Sequence, residues 1–368
     1  MSERKSRQSN IELLRIFAAL GVIMLHLNNA NEGGGWLKAG PFSSCQFVMM
    51  FFEMLAIGAV NIFILITGYF MAQKKQADLA KPLKLFFDIV VFAIIFHLGI
   101  LIISGGNYPI SNIIPYLSSN NWFFFIYLAL YVLSPYVNKL WNSLNSKNKK
   151  TLILWMFLLF SLYPLLVYGT RLKGITTIGL SGADQGYTIV NFVFMYLIGC
   201  AVKDVENNRD AARALRVPSF MFKKALYPIL YLIDTALLLG LAYLGAWATK
   251  TQPFQTPMLH YNNPLVIFQA LFAFLTFKEL KVPSNKLINF VSGAAFYVYI
   301  LHFRFIEIFN VRNIVIDEPF MLAVFMLAFS IVSYLLCLAC YVIYDLTIGK
   351  LFSLLSGKWK KHRYIEVE

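Results

Sequence analysis

Apolar stretches long enough to cross a bilayer alternate along this chain with short polar connections, many of them basic. Such stretches run over 12–29, 47–71, 84–103, 122–140, 152–170, 188–203, 227–248, 264–277, 289–309 and 319–345. A helix rises about 1.5 Å per residue, so about 20 apolar residues cover the roughly 30 Å of hydrocarbon in a bilayer. The eighth stretch is the shortest. The pattern predicts an all-α polytopic membrane protein, a bundle of about ten transmembrane helices. The membrane domain is expected over 1–346 and a basic tail over 347–368. No low-complexity segment and no convincing internal repeat interrupts the series.

Composition agrees with this reading. Of 368 residues 59% are hydrophobic, 16% aromatic and only 14% charged, against about 25% charged in an average soluble domain. Mean hydropathy is +0.64. The net charge of +14 would suit nucleic acid, but Lys and Arg lie in short clusters between apolar runs, which is the pattern of membrane topology. All but six of the 32 fall in alternate connections, the exceptions being Lys38, Arg171, Lys173, Lys250, Arg304 and Arg312. With an even number of spans, the positive-inside rule places both termini in the cytoplasm. The longest inner loop, about 204–226, is basic and is expected to lie partly along the membrane surface. Arg4, Lys5 and Arg7 also resemble the opening of a signal peptide; Arg15 and His26 inside the following stretch argue against it. Cys45 lies outside without an outer partner, so no disulfide is expected. Cys337 and Cys340 form a C-x-x-C inside an apolar helix lacking acidic or His neighbours, and read as packing rather than a metal site.

Ionisable groups within spans are costly and tend to face a bundle interior. The first span carries Glu12, Arg15 and His26. Arg15 and His26 are eleven residues apart, three turns plus roughly 20°, which puts them on one face about 16 Å apart. Glu12 precedes Arg15 by one turn at pairing distance, and Asn29 extends the stripe past His26. A histidine at this depth suits a general base or an acyl carrier. Arg15 suits a phosphate or anionic intermediate, with Glu12 holding it in place. The plainer reading is an interfacial ion pair and a packing histidine; the shared face and the further histidines weigh against it. His302, in Tyr297-Val-Tyr-Ile-Leu-His302, lies about 20 Å into its own span, a depth matching that of His26, and Tyr299 faces the same way. His97 has only apolar neighbours and reads as structural. Asp88, Glu53 and Asp234 are further buried acids. Arg304 and Glu307 have the spacing of a plain ion pair.

Asn10-Ile-Glu12-Leu-Leu-Arg15, followed by ten intervening residues and His26, resembles the opening of the acyltransferase family 3 membrane proteins. Asn61-Ile-Phe-Ile-Leu-Ile-Thr67-Gly68-Tyr69 is similar to that family's second-span ending, with Thr67 in place of Ser. Trp122, Tyr127, Tyr131 and Leu133-Ser-Pro135 look like its W…Y…L…P helix, and Phe296-Tyr-Val-Tyr-Ile-Leu-His302 like its late F-x-I-Y-L-x-H segment. The order of these motifs, from about 10 to 303, is the family's order. One departure is Lys81-Pro-Leu-Lys84, where many members carry R-x-x-R; lysine keeps the charge but loses the bidentate fork.

The resemblance implies an O-acyltransferase of the plasma (cytoplasmic) membrane of a bacterium. Its donor would be acetyl-CoA or another acyl-coenzyme A, its acceptor a hydroxyl of a cell-envelope or exported polysaccharide. His26 would be base or acyl carrier, with Arg15, Glu12, His302 and Tyr299 as further catalytic candidates. Arg15, Lys74, Lys75, Lys81, Lys84, Thr67, Gly68 and Tyr69 are the donor-binding candidates. No metal and no nucleic acid is expected; membrane lipid is. A transporter of polysaccharide or lipid-linked sugar is the alternative. A polysaccharide polymerase would carry a large, charged outer loop, and the outer loops here are short and nearly uncharged.

Overall fold

The computed structural model describes residues 7–107, 109, 111, 113–117, 121–170, 184–207, 224–350 and 364–366. Arg4, Lys5, Arg171, Lys173, Arg209, Arg213, Arg216, Lys223, Lys358, Lys360, Lys361 and Arg363 lie outside them, as do most of the loop 204–226 and of the tail. The described chain is almost wholly helical. Its helices are α1 (Ser9–Asn28), α2 (Gly35–Lys38), α3 (Ser44–Ala56), α4 (Ala59–Met71), α5 (Ala80–Ile103), α6 (Ile113–Leu117), α7 (Trp122–Ser143), α8 (Ser146–Phe157) and α9 (Tyr163–Thr170). Then follow α10 (Ile189–Asn207), α11 (Leu226–Thr249), α12 (Pro264–Glu279), α13 (Lys286–Val291), α14 (Ala295–Ile308) and α15 (Pro319–Leu346). Among the described residues, eight helical stretches are long and apolar enough to cross a membrane. The stretches at 188–203 and 264–277 are helical too, as α10 and α12, but are not among the eight.

The chain divides into two compact units. The first comprises residues 1–72 and 144–339, the second 73–143 and 340–368.

In the first unit several polar side chains are buried within a mainly apolar interior, while many large apolar ones face outward. Asn28, Asn61, Asn191 and Gln269 are buried, while Leu244, Trp247 and Phe320 are exposed. An apolar exterior with polar groups turned inward is what lipid permits. The stretch 47–71, read as one helix, is broken at Ile57–Gly58 into α3 and α4. Gln269 of α12 repairs the break. It accepts from Gly58 N at 3.0 Å and donates to Met54 O at 2.6 Å and Thr235 Oγ1 at 2.9 Å. Without it the interrupted backbone would leave polar groups unpaired in hydrocarbon. Next, α4 packs on α10 backbone to backbone. A Cβ on Gly68 would stand 2.1 Å from Tyr196 O, and one on Gly199 would stand 2.4 Å from Leu65 O. Only glycine permits this crossing.

The connections that the charge pattern assigns to one side meet one another. Asn10 donates to Lys278 O, Arg7 to Asn289 O, and Lys149 pairs with Asp204. Connections assigned to the other side likewise meet: Gln46 with Gln252, Lys38 with Val311 O, and Trp36 stacked on Phe254. The four cysteines are free.

In the second unit a short strand β1 (Gln76–Asp78) pairs antiparallel with β2 (Tyr364–Glu366), aligning Ala77 with Ile365. Asn138 and Tyr131 of α7 donate to Lys74 O and Asp78 O, holding the same loop from another side. Asp88, fully buried, accepts from Lys84 at 2.9 Å and from Tyr344 at 2.6 Å. His97 is buried in this unit as well.

Candidate active site

α1 ends at Asn28, so the face that carries Glu12, Arg15 and His26 stops there, and Asn29 caps the helix instead of extending the stripe. The chain then turns back on the helix end. Gly33 N donates to His26 O at 3.0 Å, and Gly34 N to Asn29 O at 2.7 Å. A Cβ on Gly33 would lie 2.2 Å from Leu27 O, and Gly34 has φ +71°, so this return requires glycine at both positions. Its result is that Glu32 Oε2 meets His26 Nδ1. Glu32 was not legible as a site residue: six positions from His26 is not a helical neighbour, and the Gly33-Gly34-Gly35 run is the one local signal of a tight return.

His302 comes to the same place from α14. Its ring lies 4.5 Å from that of His26, edge to face at 66°. Its Nδ1 lies 2.6 Å from Val298 O, one turn earlier in its own helix. A carbonyl can only accept, so Nδ1 carries the proton and Nε2 the lone pair. That Nε2 is buried, with no hydrogen-bond partner among the described residues. By the same argument, with Glu32 ionised, His26 Nδ1–H donates to the carboxylate and its Nε2 lone pair is available. The His26 and Glu32 side chains are each 32% exposed, while His302 is 2% exposed. The pair therefore presents one imidazole at an open rim and one on a buried floor. Tyr299 is half-buried and its ring packs against Phe296 at 5.9 Å.

At the N-terminal end of α1, Arg15 Nη1 lies 3.4 Å from Glu12 Oε1. The second Glu12 oxygen accepts from Ser292 Oγ at 2.5 Å. Ser292 belongs to a 3₁₀ turn, Ser292–Ala294, that separates α13 from α14. The stretch 289–309 is thus not one continuous helix, and its interruption is what delivers a hydroxyl to Glu12. Ser9 Oγ reaches Asn289 Oδ1 at 3.0 Å and accepts from Asn285 N at 2.8 Å. α1 is therefore sewn to the helix pair carrying His302 at this end, and the two histidines meet further along.

The remaining candidates have partners elsewhere. Thr67 Oγ1 donates to Phe63 O at 2.9 Å in its own helix. Gly68 makes the backbone crossing described above. Tyr69 OH donates to Glu206 Oε2 at 2.6 Å, and Lys203 lies over its ring at 4.7 Å. Lys74, Lys75, Lys81 and Lys84 belong to the second unit. Lys84 forms the ion pair with Asp88. Lys74 is drawn below its usual value by desolvation and then by the charge of Lys81. Arg304 pairs with Glu307 at 2.8 Å. Among the described residues, no cluster of His, Cys, Asp and Glu could hold a metal ion.

The fold and site define a class: a helical, multi-pass membrane protein with a carboxylate-bound imidazole at an open rim and a second imidazole behind it. A family model described as an acyltransferase domain, that of acyltransferase family 3, matches residues 8–342. The chain belongs to this family, and is an acyl-transferring membrane enzyme. Nothing matches among the curated proteins or the solved structures.

Proposed function

We propose that this enzyme moves an acetyl or other acyl group from cytoplasmic acyl-coenzyme A to a hydroxyl of a cell-envelope or exported polysaccharide, in the plasma membrane of a bacterium. The observation that carries the reading is the His26–Glu32 pair standing against His302. Glu32 holds the His26 Nδ1 proton and steadies the imidazolium that forms when Nε2 takes a proton. His26 Nε2 removes the proton of the acceptor hydroxyl as its oxygen attacks the thioester carbonyl. The carbon–sulfur bond then breaks, and the imidazolium returns the proton to the departing thiolate. His302 Nε2, a second lone pair on the floor, accepts from a neighbouring hydroxyl of the acceptor and so orients it. Arg15, positioned by Glu12, is the phosphate or oxyanion partner on the donor side. Both termini face the cytoplasm in this reading.

The test is coenzyme A release by purified protein in liposomes, given labelled acetyl-coenzyme A and a polysaccharide extract. Label should appear on sugar hydroxyls. His26→Ala should lower the rate by about 10²–10⁴-fold, the usual worth of general acid–base catalysis. Glu32→Gln should lower it less. Transfer that survives His26→Ala in folded protein would remove the proposed mechanism.

A further inference from the structure

Lys38 and Arg312 are two of the six cations that the alternation of charge leaves on the side opposite the termini, and the fold of the first unit brings them together. A Cβ on Gly34 would stand 3.0 Å from Arg312 Cγ and 3.6 Å from Lys38 Cε, so both side chains flank one glycine of the return that carries Glu32. Lys38 Nζ donates to Val311 O at 2.6 Å. Among the described residues neither cation has a carboxylate partner, and Glu32, two positions before Gly34, is taken up by His26. Lys38 is half-buried, and desolvation draws it below its usual value. A desolvated ammonium that meets only a carbonyl gains from an anion. Beside the pair lies a cavity of about 150 Å³ at the ends of α1, α3 and α15. Leu27, Met49, Phe325 and Met326 give it an apolar wall, and Lys38 and Asp317 are its charged members. Asp317 is exposed, and its carboxylate has no partner among the described residues. Its backbone O accepts from Cys45 Sγ at 3.2 Å. Glu318, by contrast, caps α15 by accepting from Phe320 N at 3.1 Å. From there α15 exposes Phe320, Met321 and Val324, a surface suited to hydrocarbon.

We propose that this is the seat of a bilayer phospholipid with an amine-bearing headgroup, its phosphate at Lys38 and Arg312, its ammonium at Asp317 and the start of one chain in the cavity. Two neighbouring cations suit the two non-bridging oxygens of a phosphodiester, and an unpaired carboxylate suits an ammonium. A cavity of this size holds about six carbon atoms, roughly a benzene molecule. It therefore admits the first methylenes of one chain and leaves the rest in the bilayer along the exposed face of α15. A soluble phosphate has no such apolar part. An acidic lipid without an amine leaves Asp317 without a partner and adds like-charge repulsion. The seat joins the segment after α1 to the connection between α14 and α15, so its occupant braces the return that brings Glu32 to His26.

The experiment follows melting of the full-length, detergent-solubilised protein, stripped of lipid, as phosphatidylethanolamine, phosphatidylglycerol or glycerol phosphate is added, with native mass spectrometry to detect retained lipid. Phosphatidylethanolamine should raise the melting temperature saturably and remain bound. Phosphatidylglycerol should need about tenfold more, the worth of one charged contact, and glycerol phosphate should have no effect. Lys38→Gln and Arg312→Gln should each weaken phosphatidylethanolamine by about tenfold. Asp317→Asn should keep lipid binding and erase the preference between the two lipids. Arg312 and Asp317 are exposed, so their variants report on the seat even if Lys38→Gln fails to fold. Equal affinity of the unaltered protein for the two lipids would overturn the proposal, because the amine would then contribute nothing. So would lipid binding unchanged in Arg312→Gln and Lys38→Gln, which would put the lipid elsewhere on the helices, or glycerol phosphate stabilising as well as the lipid, which would make this a site for soluble phosphate.

Discussion

At the scale of single residues, two groups outside the spans make the protein acid-sensitive in separate windows. Burial pushes His260 down to about 4. Its neutral form is favoured in the fold, so its contribution is complete above its ordinary value near 6.5 and is lost as pH falls toward 4. Glu206 loses some ground to desolvation, but hydrogen bonds from Lys203, Tyr69 and Lys278 outweigh it and hold the carboxyl at about 2. Its contribution is complete above about 4.5 and is lost as pH falls toward 2. Melting of the detergent-solubilised protein should therefore weaken in two stages. His260→Asn should flatten the first and Glu206→Gln the second; one loss untouched by either variant would refute the assignment. Residue chemistry was partly legible beforehand. The buried Glu12, Arg15, His26 and His302 stood out because ionisable groups in apolar stretches are conspicuous. Glu32 and Ser292 did not, because nothing about a glutamate in a loop or a serine in a span marks it as a partner. Each acquires its role from a turn: the glycine return after α1 and the 3₁₀ break before α14.

At the scale of elements, the spans were readable and their interruptions were not. Hydropathy sums over a window, and one or two residues of broken hydrogen bonding barely alter the sum. The break at Ile57–Gly58 exists because Gln269, distant in sequence, supplies the missing bonds. Gln269→Leu should leave the Met54 carbonyl and the Gly58 amide unpaired, costing about 1–3 kcal/mol for each buried group. The α4–α10 crossing is more demanding. Gly68→Ala puts a methyl group where Tyr196 O already lies, and forcing atoms into a packed contact costs about 1–3 kcal/mol or more. A fall in detergent-phase melting temperature measures both. Unchanged melting in Gly68→Ala would mean that the helices are not in contact there. The Thr67-Gly68-Tyr69 motif thus has a helix-packing explanation that its resemblance to a family signature did not reveal.

At the scale of the whole molecule, the charge pattern argues that both termini lie in the cytoplasm. A membrane-impermeant reagent should then label cysteines added at either end only after cells are permeabilised; labelling in intact cells would reverse the orientation. Membership of the family was readable because its motifs recur in order along one chain. So was the helical, membrane-spanning class, because hydrocarbon forces every spanning backbone to satisfy its own hydrogen bonds, and that demand writes itself into runs of apolar residues. The set of polar groups that share one space was decided only by tertiary structure. His26 and His302 are 276 positions apart, and Glu32 reaches His26 only through the return of the chain after α1. Periodicity reports which face of a helix is polar, but the meeting of two faces depends on close packing. Here that packing rests on the glycines that let backbones approach and on the buried amides of Asn28 and Gln269 that tie neighbouring helices together.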